Sequence, residues 1–340
     1  ERWDSYVDKH PEGLPYSLFA WKLLVDSVYG HKGYYLMAEE GGETIGAMPL
    51  IHMKTSLGRG MLVGLPFCDA GGVLGNSDDV TANLLQEAVS LAESLNVSDI
   101  DIRSIAPNLV VESCHRPLRV FSGKARMLLE LPETSDLLWE GFKAKLRSQI
   151  VKAEKNGLVF VIGGRERIDD FYSVFSENMR DLGSPVHSKG LFKAVFNYYG
   201  DKVRLGMVYF KDKAVGGGVI LCSGSRVCIP WASTLRKYNT LAPNMILYWN
   251  LVKYAADNGY AEFDFGRSTP DEGTYRFKAQ WGAQPKPLYW YKVNIDSKYQ
   301  HNAPGTSNSY RRDRVEAIWK RIPLSVANFI GPMIRKHISL

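Results

Sequence analysis

An internal repeat constrains the fold of this chain more than any other feature of its sequence. The segment DIDIRSIAP (residues 99–107) matches EFDFGRSTP (residues 262–270), about 165 residues further on. Each segment follows a long helical pattern, which in turn follows a hairpin pattern. The matched positions are Asp101 with Asp264, Pro107 with Pro270, Arg103 near Arg267 and, in the hairpins, Gly46 with Gly216. The same elements in the same order predict a tandem duplication of one α/β domain.

The length of the chain agrees with two domains, because 340 residues exceed the size of one ordinary hydrophobic core. Pro132 closes the last strand pattern of the first copy, and a linker-like segment begins at residue 297. We therefore predict a first domain at residues 1–133, a second at residues 134–296, and a linker with a helical tail at residues 297–340. These are called the first half, the second half and the tail.

The formal net charge of +6 resides in the tail. The tail carries eight Lys and Arg side chains against two acidic ones, whereas the rest of the chain has 34 of each. A nucleic-acid-binding domain concentrates basic side chains on the domain itself. The charge distribution therefore excludes a general nucleic-acid-binding surface on the two halves, and no DNA partner is expected.

Hydropathy and cysteine use predict a cytoplasmic protein. No run of eighteen apolar residues is present, so the sequence predicts no transmembrane helix. The first residues lack a basic region followed by an apolar one, which is the pattern of a secretory signal. The four cysteines form no C-x-x-C pair, which indicates free thiols in a reducing compartment. The seven histidines are scattered, so no metal site is predicted.

The second half contains, in order, a WAST strand, a helix that starts at Pro243, a strand that ends in FDFG, and the motif G-x-Y-x-F-K-x-x-W-G over residues 273–282. This order of motifs resembles the FemAB group, whose members are paired acetyltransferase-like (GNAT) domains. The segments LRSQIVKAEKNGL, DLGSPVHSK and PLYWY are similar to those of FemAB-like proteins associated with exosortase and exopolysaccharide loci. The resemblance implies an α/β (α+β) fold of two tandem GNAT-like domains. Each would be a mixed sheet flanked by helices, followed by the helical tail.

The resemblance also implies a reaction, the N-acyl or aminoacyl transfer to an amine of a cell-envelope or exopolysaccharide precursor. Relatives that build peptidoglycan cross-bridges take an amino acid from aminoacyl-tRNA, and their Phe-Lys pair lies where the acyl group is transferred. That pair matches Phe277 and Lys278. The expected partner is a sugar- or peptide-linked precursor, and no tightly bound cofactor is implied.

Two departures from the family pattern leave the acyl donor open between acyl-CoA and aminoacyl-tRNA. The chain has no heptad insertion for the helical arm of some cross-bridge enzymes. It also lacks the GNAT phosphate loop, Q/R-x-x-G-x-G/A. The same losses fit an alternative function, a non-catalytic transferase pair that binds a glycan or a protein of the polysaccharide machinery.

Acyl transfer to an amine assigns candidate roles to three residues of the repeat region. Lys278 can stabilise the tetrahedral oxyanion or the leaving group, since an oxyanion requires fixed positive charge. Its alternative is a surface lysine whose stem covers Trp281. Asp264 can accept the amine proton, or it can form an ion pair with Arg267. Arg267 can instead bind a phosphate or carboxylate of the substrate.

Five further residues are substrate-binding candidates, each with a structural alternative. Tyr275, Trp231 and Tyr248 can form the wall of a sugar or acyl site, or they can be core aromatics. His187 lies in a Gly/Pro-marked loop and can act as a base or as an ordinary loop residue. Arg147 belongs to a basic helix face that either meets a phosphate or is solvated.

The tail is basic and amphipathic over residues 309–340. Its apolar side chains, which stand among basic residues, include Ile318, Trp319, Ile322, Leu324, Val326, Phe329, Ile330, Met333 and Ile334. Such a segment can lie on an anionic membrane surface. It can also pack its apolar side on the second half, or bind RNA in a salt-dependent manner. The expected location is therefore cytoplasmic, with peripheral attachment to the inner membrane as one alternative.

Overall fold

The computed structural model describes residues 1–54, 59–107, 116–295 and 314–340. Within this part of the chain, twelve strands form one mixed sheet that helices cover. The strands are β1 (Lys32–Glu40), β2 (Glu43–Met53), β3 (Met61–Val63), β4 (Leu74–Gly75), β5 (Asp99–Ser104), β6 (Leu118–Glu130), β7 (Leu158–Gly163), β8 (Val203–Phe210), β9 (Lys213–Ser223), β10 (Arg226–Thr234), β11 (Glu262–Ser268) and β12 (Gln284–Asn294). The helices are α1 (Arg2–Lys9), α2 (Phe19–Tyr29), α3 (Asp78–Ser94), α4 (Ser135–Gly141), α5 (Ala144–Lys155), α6 (Ile168–Leu182), α7 (Lys189–Tyr199), α8 (Pro243–Asp257), α9 (Gly273–Ala279), α10 (residues 314–319) and α11 (Leu324–Arg335).

The two halves have the same strand topology, so the predicted α/β fold with an internal repeat is confirmed. In the first half, β2 pairs antiparallel with β3, and β3 pairs parallel with β5. In the second half, β9 pairs antiparallel with β10, and β10 pairs parallel with β11. The repeated sequence segments correspond to β5 and β11, each of which follows a long helix. The strand order β1-β2-β3-β5-β12-β6-β11-β10-β9-β8-β7 is therefore nearly symmetric about its centre.

The last strand of each half pairs with the other half. β6 belongs to the first half in sequence, yet it lies antiparallel beside β11, with Leu128 opposite Asp264. β12 belongs to the second half, yet it lies antiparallel beside β5, with Tyr289 opposite Ser104. The two exchanged strands also pair with each other at the centre of the sheet. The boundary near residue 133 stays a prediction, because one continuous sheet joins the halves.

Aromatic side chains of the two halves pack together in one shared core cluster. Trp21 of α2 is fully buried and stacks on Trp231 of β10, with ring centroids 6.0 Å apart and planes at 7°. The Trp21 Nε1–H donates to the carbonyl oxygen of Pro66 at 3.0 Å. Buried aromatic pairs of this kind contribute beyond their area. The stack therefore fixes α2 against β10, which is one of the strands that border the candidate site.

The loop between α6 and α7 brings His187 into the interior. Gly183, with φ of 83°, ends α6 in the left-handed conformation that favours glycine. Ser188 caps α7, since its hydroxyl accepts the backbone N–H of Leu191 at 3.2 Å. His187, between these two caps, is 2% exposed.

The tail packs against both halves. In α11, Gly331 lies so close to Val186 that an added Cβ would be 3.0 Å from the Val186 backbone nitrogen. The last residues reach the first half: His31 hydrogen-bonds the carbonyl oxygen of Lys336 at 2.7 Å, and the Phe67 N–H donates to the Ser339 carbonyl oxygen at 2.6 Å. Packing on the second half was one of the predicted alternatives, and the contacts extend beyond it to the first half. None of the helices in the described residues is both long and apolar enough to cross a bilayer.

The cysteines whose placement is described are thiols, as predicted. Cys68, Cys222 and Cys228 are free and buried. Burial raises the pKa of Cys68 and Cys228 well above the usual range, so these thiols are protonated and unreactive at neutral pH. Cys114 lies outside the described residues.

Candidate active site

A cavity of about 280 Å³ lies where the two halves and the tail meet. The pairing of β10 with β11 covers Arg226–Cys228 and Glu262–Asp264. Beyond these residues the two strands pair with β9 and β6 and not with each other, and later residues of both line the cavity. The lining consists of Tyr16, Phe67, Cys68 and Asp69 from the first half; Phe175, Met179, His187, Pro230, Trp231, Ala232 and Arg267 from the second; and Arg335 and Leu340 from the tail.

A β-bulge in β11 directs Arg267 toward this cavity. Asp264 and Arg267 lie opposite Leu128 and Arg126 of β6, so β11 contains one extra residue at this point. Gly266 within the bulge has φ of 74°, a value that side chains other than glycine rarely adopt. A bulge changes the direction in which the following side chains point. The glycine of the FDFG segment is therefore the residue that permits this geometry.

Arg267 is held by a residue of the first half that sequence reasoning missed, Asp69. The Asp69 carboxylate accepts the Arg267 backbone N–H at 3.0 Å and lies 3.4 Å from its Nε. Two guanidinium groups lie over the Trp290 ring, that of Arg267 at 5.1 Å and that of Arg103 at 5.5 Å from its centroid. Asp69 stands in a glycine-rich stretch whose only sequence signal was that of a loop. Arg103 and Arg267, the near-matches of the repeat, thus both contact one indole ring.

Lys278 lies behind the peptide of Arg267 instead of lining the cavity. Its Nζ donates to the carbonyl oxygens of Gly266 at 3.1 Å and Arg267 at 2.8 Å. The side chain is 8% exposed, so the alternative of a surface lysine is wrong. Burial lowers the pKa of Lys278 to about 8, against the opposing effect of Asp69 and Asp264. Its direct role at the reacting atoms stays a prediction, and its observed contacts position the strand end that carries Arg267.

Asp264 forms an ion pair with Arg126. The sequence suggested Arg267 as the partner in this ion pair, and that suggestion is wrong. One oxygen of the carboxylate accepts Arg126 Nε–H at 2.9 Å, and the other accepts the Gly266 N–H at 2.8 Å. Both side chains are buried. Because Arg126 belongs to the exchanged strand β6, sequence reasoning within the second half could not find it. A carboxylate with both oxygens engaged supports the bulge, and its role as a proton acceptor stays a prediction.

His187 lines the cavity with both ring nitrogens engaged. Its Nε2 accepts from Arg335 Nε–H at 3.1 Å, and its Nδ1 lies 2.7 Å from the Tyr29 hydroxyl. A guanidinium only donates, so Nε2 carries no proton and Nδ1–H donates to Tyr29. Burial, and then the charge of Arg335, hold the pKa of His187 well below its usual range. The neutral ring therefore connects two side chains, and its role as a base stays a prediction.

The structure separates the remaining candidates into two groups. Trp231 lines the cavity. Tyr248 packs on Phe277 with centroids 5.1 Å apart, and burial raises its pKa to about 12. Tyr275 is partly buried against the same second-half core. Arg147 lies half-buried on α5, which packs against α8. Of the predicted site residues, Trp231, His187 and Arg267 thus meet at the cavity, whereas Tyr248, Tyr275 and Phe277 belong to core packing behind β11.

Comparison with known proteins identifies the second half. Residues 141–279 match the family model of the acetyltransferase (GNAT) domain. No curated protein matches the sequence. Among solved structures, FemX superposes with a TM-score of 0.72 at 15% identity, over 88% of this chain and 96% of that one. The C-terminal domain of a putative lysylphosphatidylglycerol synthetase from Agrobacterium fabrum gives 0.56 at 13% identity, over 88% and 91%. A tandem GNAT protein from the clavulanic acid biosynthesis pathway gives 0.52 at 10% identity, over 80% and 88%.

These likenesses agree with the geometry. Identities this low establish the fold alone, but the matched GNAT domain contains the bulge, the parts of β10 and β11 that do not pair with each other, and Lys278. The coverage of FemX extends the likeness to both halves. The chain therefore shares the fold of FemX over both halves, and its second half contains the matched acetyltransferase (GNAT) domain.

Proposed function

We propose that this protein is an N-acyl or aminoacyl transferase whose acceptor is an amine on a cell-envelope or exopolysaccharide precursor. The observation that carries the proposal is the cavity at the parts of β10 and β11 that do not pair with each other, at the edge of the matched GNAT domain. Residues of both halves and the tail surround it, so a donor and an acceptor can be held together away from bulk water. The names of two neighbours, FemX and a lysylphosphatidylglycerol synthetase, support aminoacyl transfer as one form of this reaction.

In the proposed reaction, the acceptor nitrogen attacks the carbonyl carbon of the acyl donor. The bond from that carbon to the donor sulfur or ribose oxygen then breaks, and the amine proton passes by way of a base to the leaving group. Asp69 is a carboxylate that lines the cavity and can accept this proton. Protonated Lys278 supplies positive charge behind the cavity wall, where it favours the oxyanion.

The acyl donor stays open between acyl-CoA and aminoacyl-tRNA. The connection from β10 to α8 contains no glycine between residues 235 and 242, and it forms a 3₁₀ turn at Arg236–Leu241. Its amides at Tyr238 and Ala242 donate to the carbonyl oxygens of Leu235 and Asn239. Amides already bonded in this way are not free to cradle a pyrophosphate. A hydrogen-bonded turn therefore stands where other GNAT domains have the phosphate loop, and the donor must be bound by other groups.

Transfer can be tested by filling the cavity. Ala232 lines it, so Ala232→Phe places a ring inside the cavity and should reduce the transfer rate about tenfold or more. The assay supplies labelled acetyl-CoA or charged tRNA together with extracted envelope precursors, and mass spectrometry reads the acyl group on the acceptor. Ala144→Phe, at an exposed position of α5, is the matched control and should leave the rate unchanged. Equal rates for the two variants would contradict a site in this cavity.

A second candidate, the non-catalytic binding pair, is favoured by one observation: Lys278 is bonded to two carbonyl oxygens and does not line the cavity. Mass spectrometry of envelope glycans from cells with and without the gene separates the candidates. An acyl mass shift that depends on the gene supports the transferase. Binding of a precursor without any mass shift supports the binding pair.

We also propose peripheral attachment of the tail to an anionic membrane. The face of α10 and α11 that points away from the body carries exposed apolar side chains, among them Ile318 at 64% and Phe329 at 70% exposure. Exposed basic residues, Lys320 and Arg321, lie between the two helices. An apolar face beside positive charge matches the interface of an anionic lipid surface. Attachment would bring the cavity near a lipid-linked acceptor.

The tail proposal predicts how vesicle binding responds to charge on this face. The double variant Ile318→Glu with Phe329→Glu should weaken binding to phosphatidylglycerol vesicles about tenfold or more, because both apolar contacts are lost. Leu137→Glu with Val159→Glu changes two comparably exposed positions outside the tail and serves as the control. Equal losses in the two double variants, or RNA that displaces the protein from the vesicles, would count against a lipid-binding tail.

A further inference from the structure

A strap of the tail, residues 332–340, crosses one side of the cavity. Two of its residues, Arg335 and Leu340, line the cavity. Near its far end, the carbonyl oxygen of Ser339 accepts the backbone N–H of Phe67 at 2.6 Å. Because α11 packs on α6 of the second half, the strap extends from the second half across the cavity to the first half.

Polar contacts, above all those of Arg103, attach the strap to the first half. Arg103 Nη1 donates to the Ser339 carbonyl oxygen at 3.2 Å, and Nη2 donates to the Ser339 hydroxyl at 2.9 Å. The same Nη1 donates at 2.9 Å to the carbonyl oxygen of Cys68, a residue that lines the cavity. The His31 ring donates to the Lys336 carbonyl oxygen at 2.7 Å. Each such bond contributes little net free energy, because water can replace either partner.

Little apolar burial holds the strap in place. Every residue of the strap, all of which the structure describes, keeps part of its surface exposed, whereas Ala327 and Gly331 earlier in α11 are buried. Burial lowers the pKa of Arg335 to about 10. The closed strap therefore withdraws a charged group from water, which opposes closure. Segments with few buried apolar contacts open locally at low free energy.

Pro332 weakens α11 at the point where the strap begins. Proline has no N–H, so the helical hydrogen bond to the Asn328 carbonyl oxygen is missing there. The part of α11 before this point is anchored on the second half, since Asn328 Nδ2 donates to the Ser176 hydroxyl at 3.4 Å. Gly331 lies so close to Val186 that an added Cβ would be 3.0 Å from its backbone nitrogen. The helix is thus fixed up to Gly331 and can bend directly after it.

We propose that the strap is a lid, which bends after Gly331 to admit substrate to the cavity and closes through the contacts of Ser339 with Arg103 and Phe67. In the closed position it keeps water from one side of the cavity, and this protects an acyl donor from hydrolysis. The inference rests on the proposed function for what enters the cavity. The motion of the strap can nevertheless be measured without any transfer.

Hydrogen exchange at the Phe67 amide reports whether the strap is open, because this N–H is bonded to Ser339. The Gly64 amide, which donates to the Asp101 carbonyl oxygen at 2.8 Å within the first half, is the internal reference. NMR of the full chain, corrected for intrinsic exchange rates, measures both amides. Phe67 should exchange at least about tenfold faster than Gly64, because local opening requires less free energy than disruption of the sheet.

Three variants test the contact and the hinge. Ser339→Ala removes a hydrogen bond from a charged donor and should raise the exchange rate of Phe67 about fivefold or more, with no change at Gly64. Ser325→Ala makes the same replacement at an exposed position of α11 before the hinge, and as the matched control it should change neither rate. Pro332→Ala restores the missing helical N–H and should slow the exchange of Phe67, because the hinge becomes stiffer.

Alkylation of Cys68 by iodoacetamide, followed by peptide mass spectrometry, measures access to the cavity. This thiol lines the cavity, and burial raises its pKa, so it reacts only when opening exposes it to water. Ser339→Ala should therefore raise the alkylation rate of Cys68 by about the same factor as the exchange rate of Phe67. The buried Cys222 belongs to the core of the second half and should react equally slowly in both proteins.

Each other outcome has a defined meaning. Exchange of Phe67 as slow as that of Gly64, or equal effects of the two serine variants, would show a fixed segment and overturn the lid. Faster exchange in Pro332→Ala would overturn the proposed hinge. Unchanged alkylation of Cys68 despite faster exchange would overturn control of access. A strap that opens as proposed, in a protein without transfer activity, would keep this inference and count against the transferase.

Discussion

Asp264→Ala should lower the free energy of unfolding by about 3 kcal/mol, because it leaves the buried guanidinium of Arg126 with only a longer contact to Glu262 at 3.9 Å. The carboxylate accepts Arg126 Nε–H at 2.9 Å, and it also accepts the Gly266 N–H inside the bulge. Both side chains are buried, at 4% and 7% exposure, so water cannot replace the lost partner. Urea unfolding followed by tryptophan fluorescence measures the difference between the variant and the wild-type protein.

The double variant Arg126→Met with Asp264→Ala isolates the ion pair. Replacement of both charged groups removes the unpaired charge, so most of the lost stability should return. Glu177→Ala breaks an exposed ion pair with Lys237 and should cost less than about 1 kcal/mol. A double variant as unstable as Asp264→Ala would show that the loss comes from packing and not from the unpaired charge.

Lys278→Met should change stability in a way that depends on pH. The folded pKa of about 8 lies below the usual value of 10.5, because the side chain is buried. Between about pH 8 and 10.5, the unfolded chain still binds the proton that the folded protein has released. The stability of the wild-type protein relative to Lys278→Met therefore rises with pH in this window, by at most about 1.4 kcal/mol for each pH unit.

The measurement is a set of urea unfolding curves for both proteins at pH 7, 8, 9 and 10. Over the last two pH units, the difference should grow by roughly 2–3 kcal/mol at most. Lys253→Met removes an exposed positive charge from α8 and gives the effect of charge loss alone. A difference that is constant or falls between pH 8 and 10 would contradict a lysine held by desolvation in the folded state.

The fold could be predicted from the repeat because each matched segment is a short continuous stretch of sequence. Asp101 and Asp264 each lie in a strand that follows a long helix, and both strands occupy equivalent places in the sheet. The exchange of β6 and β12 could not be predicted in the same way. Both strands have the alternating pattern of any half-buried strand, and that pattern does not specify which neighbour supplies the hydrogen bonds.

The candidate site was predicted where the motif is continuous and missed where distant segments meet. Trp231, His187 and Arg267 could be proposed because they belong to the WAST strand, a marked loop and the FDFGRS segment of the second half, and all three line the cavity. Asp69 and Arg335 come from the first half and the tail, so only the folded chain brings them to Arg267. The direction of Lys278 was missed for a different reason, because spacing cannot show that its Nζ points toward backbone carbonyl oxygens.

Because of the exchanged strands, the sheet cannot be completed during translation until the last strand, β12, has been synthesised. When β6 has been synthesised, its neighbours β11 and β12 do not yet exist, and β5 waits about 180 residues for β12. Nascent chains therefore present two strands, β5 and β6, with unpaired edges through most of translation, and such edges favour aggregation. A stop codon before residue 284 would leave those edges open permanently. Separate expression of either half should for this reason give insoluble protein, whereas co-expression of the two allows the missing strands to be exchanged between chains.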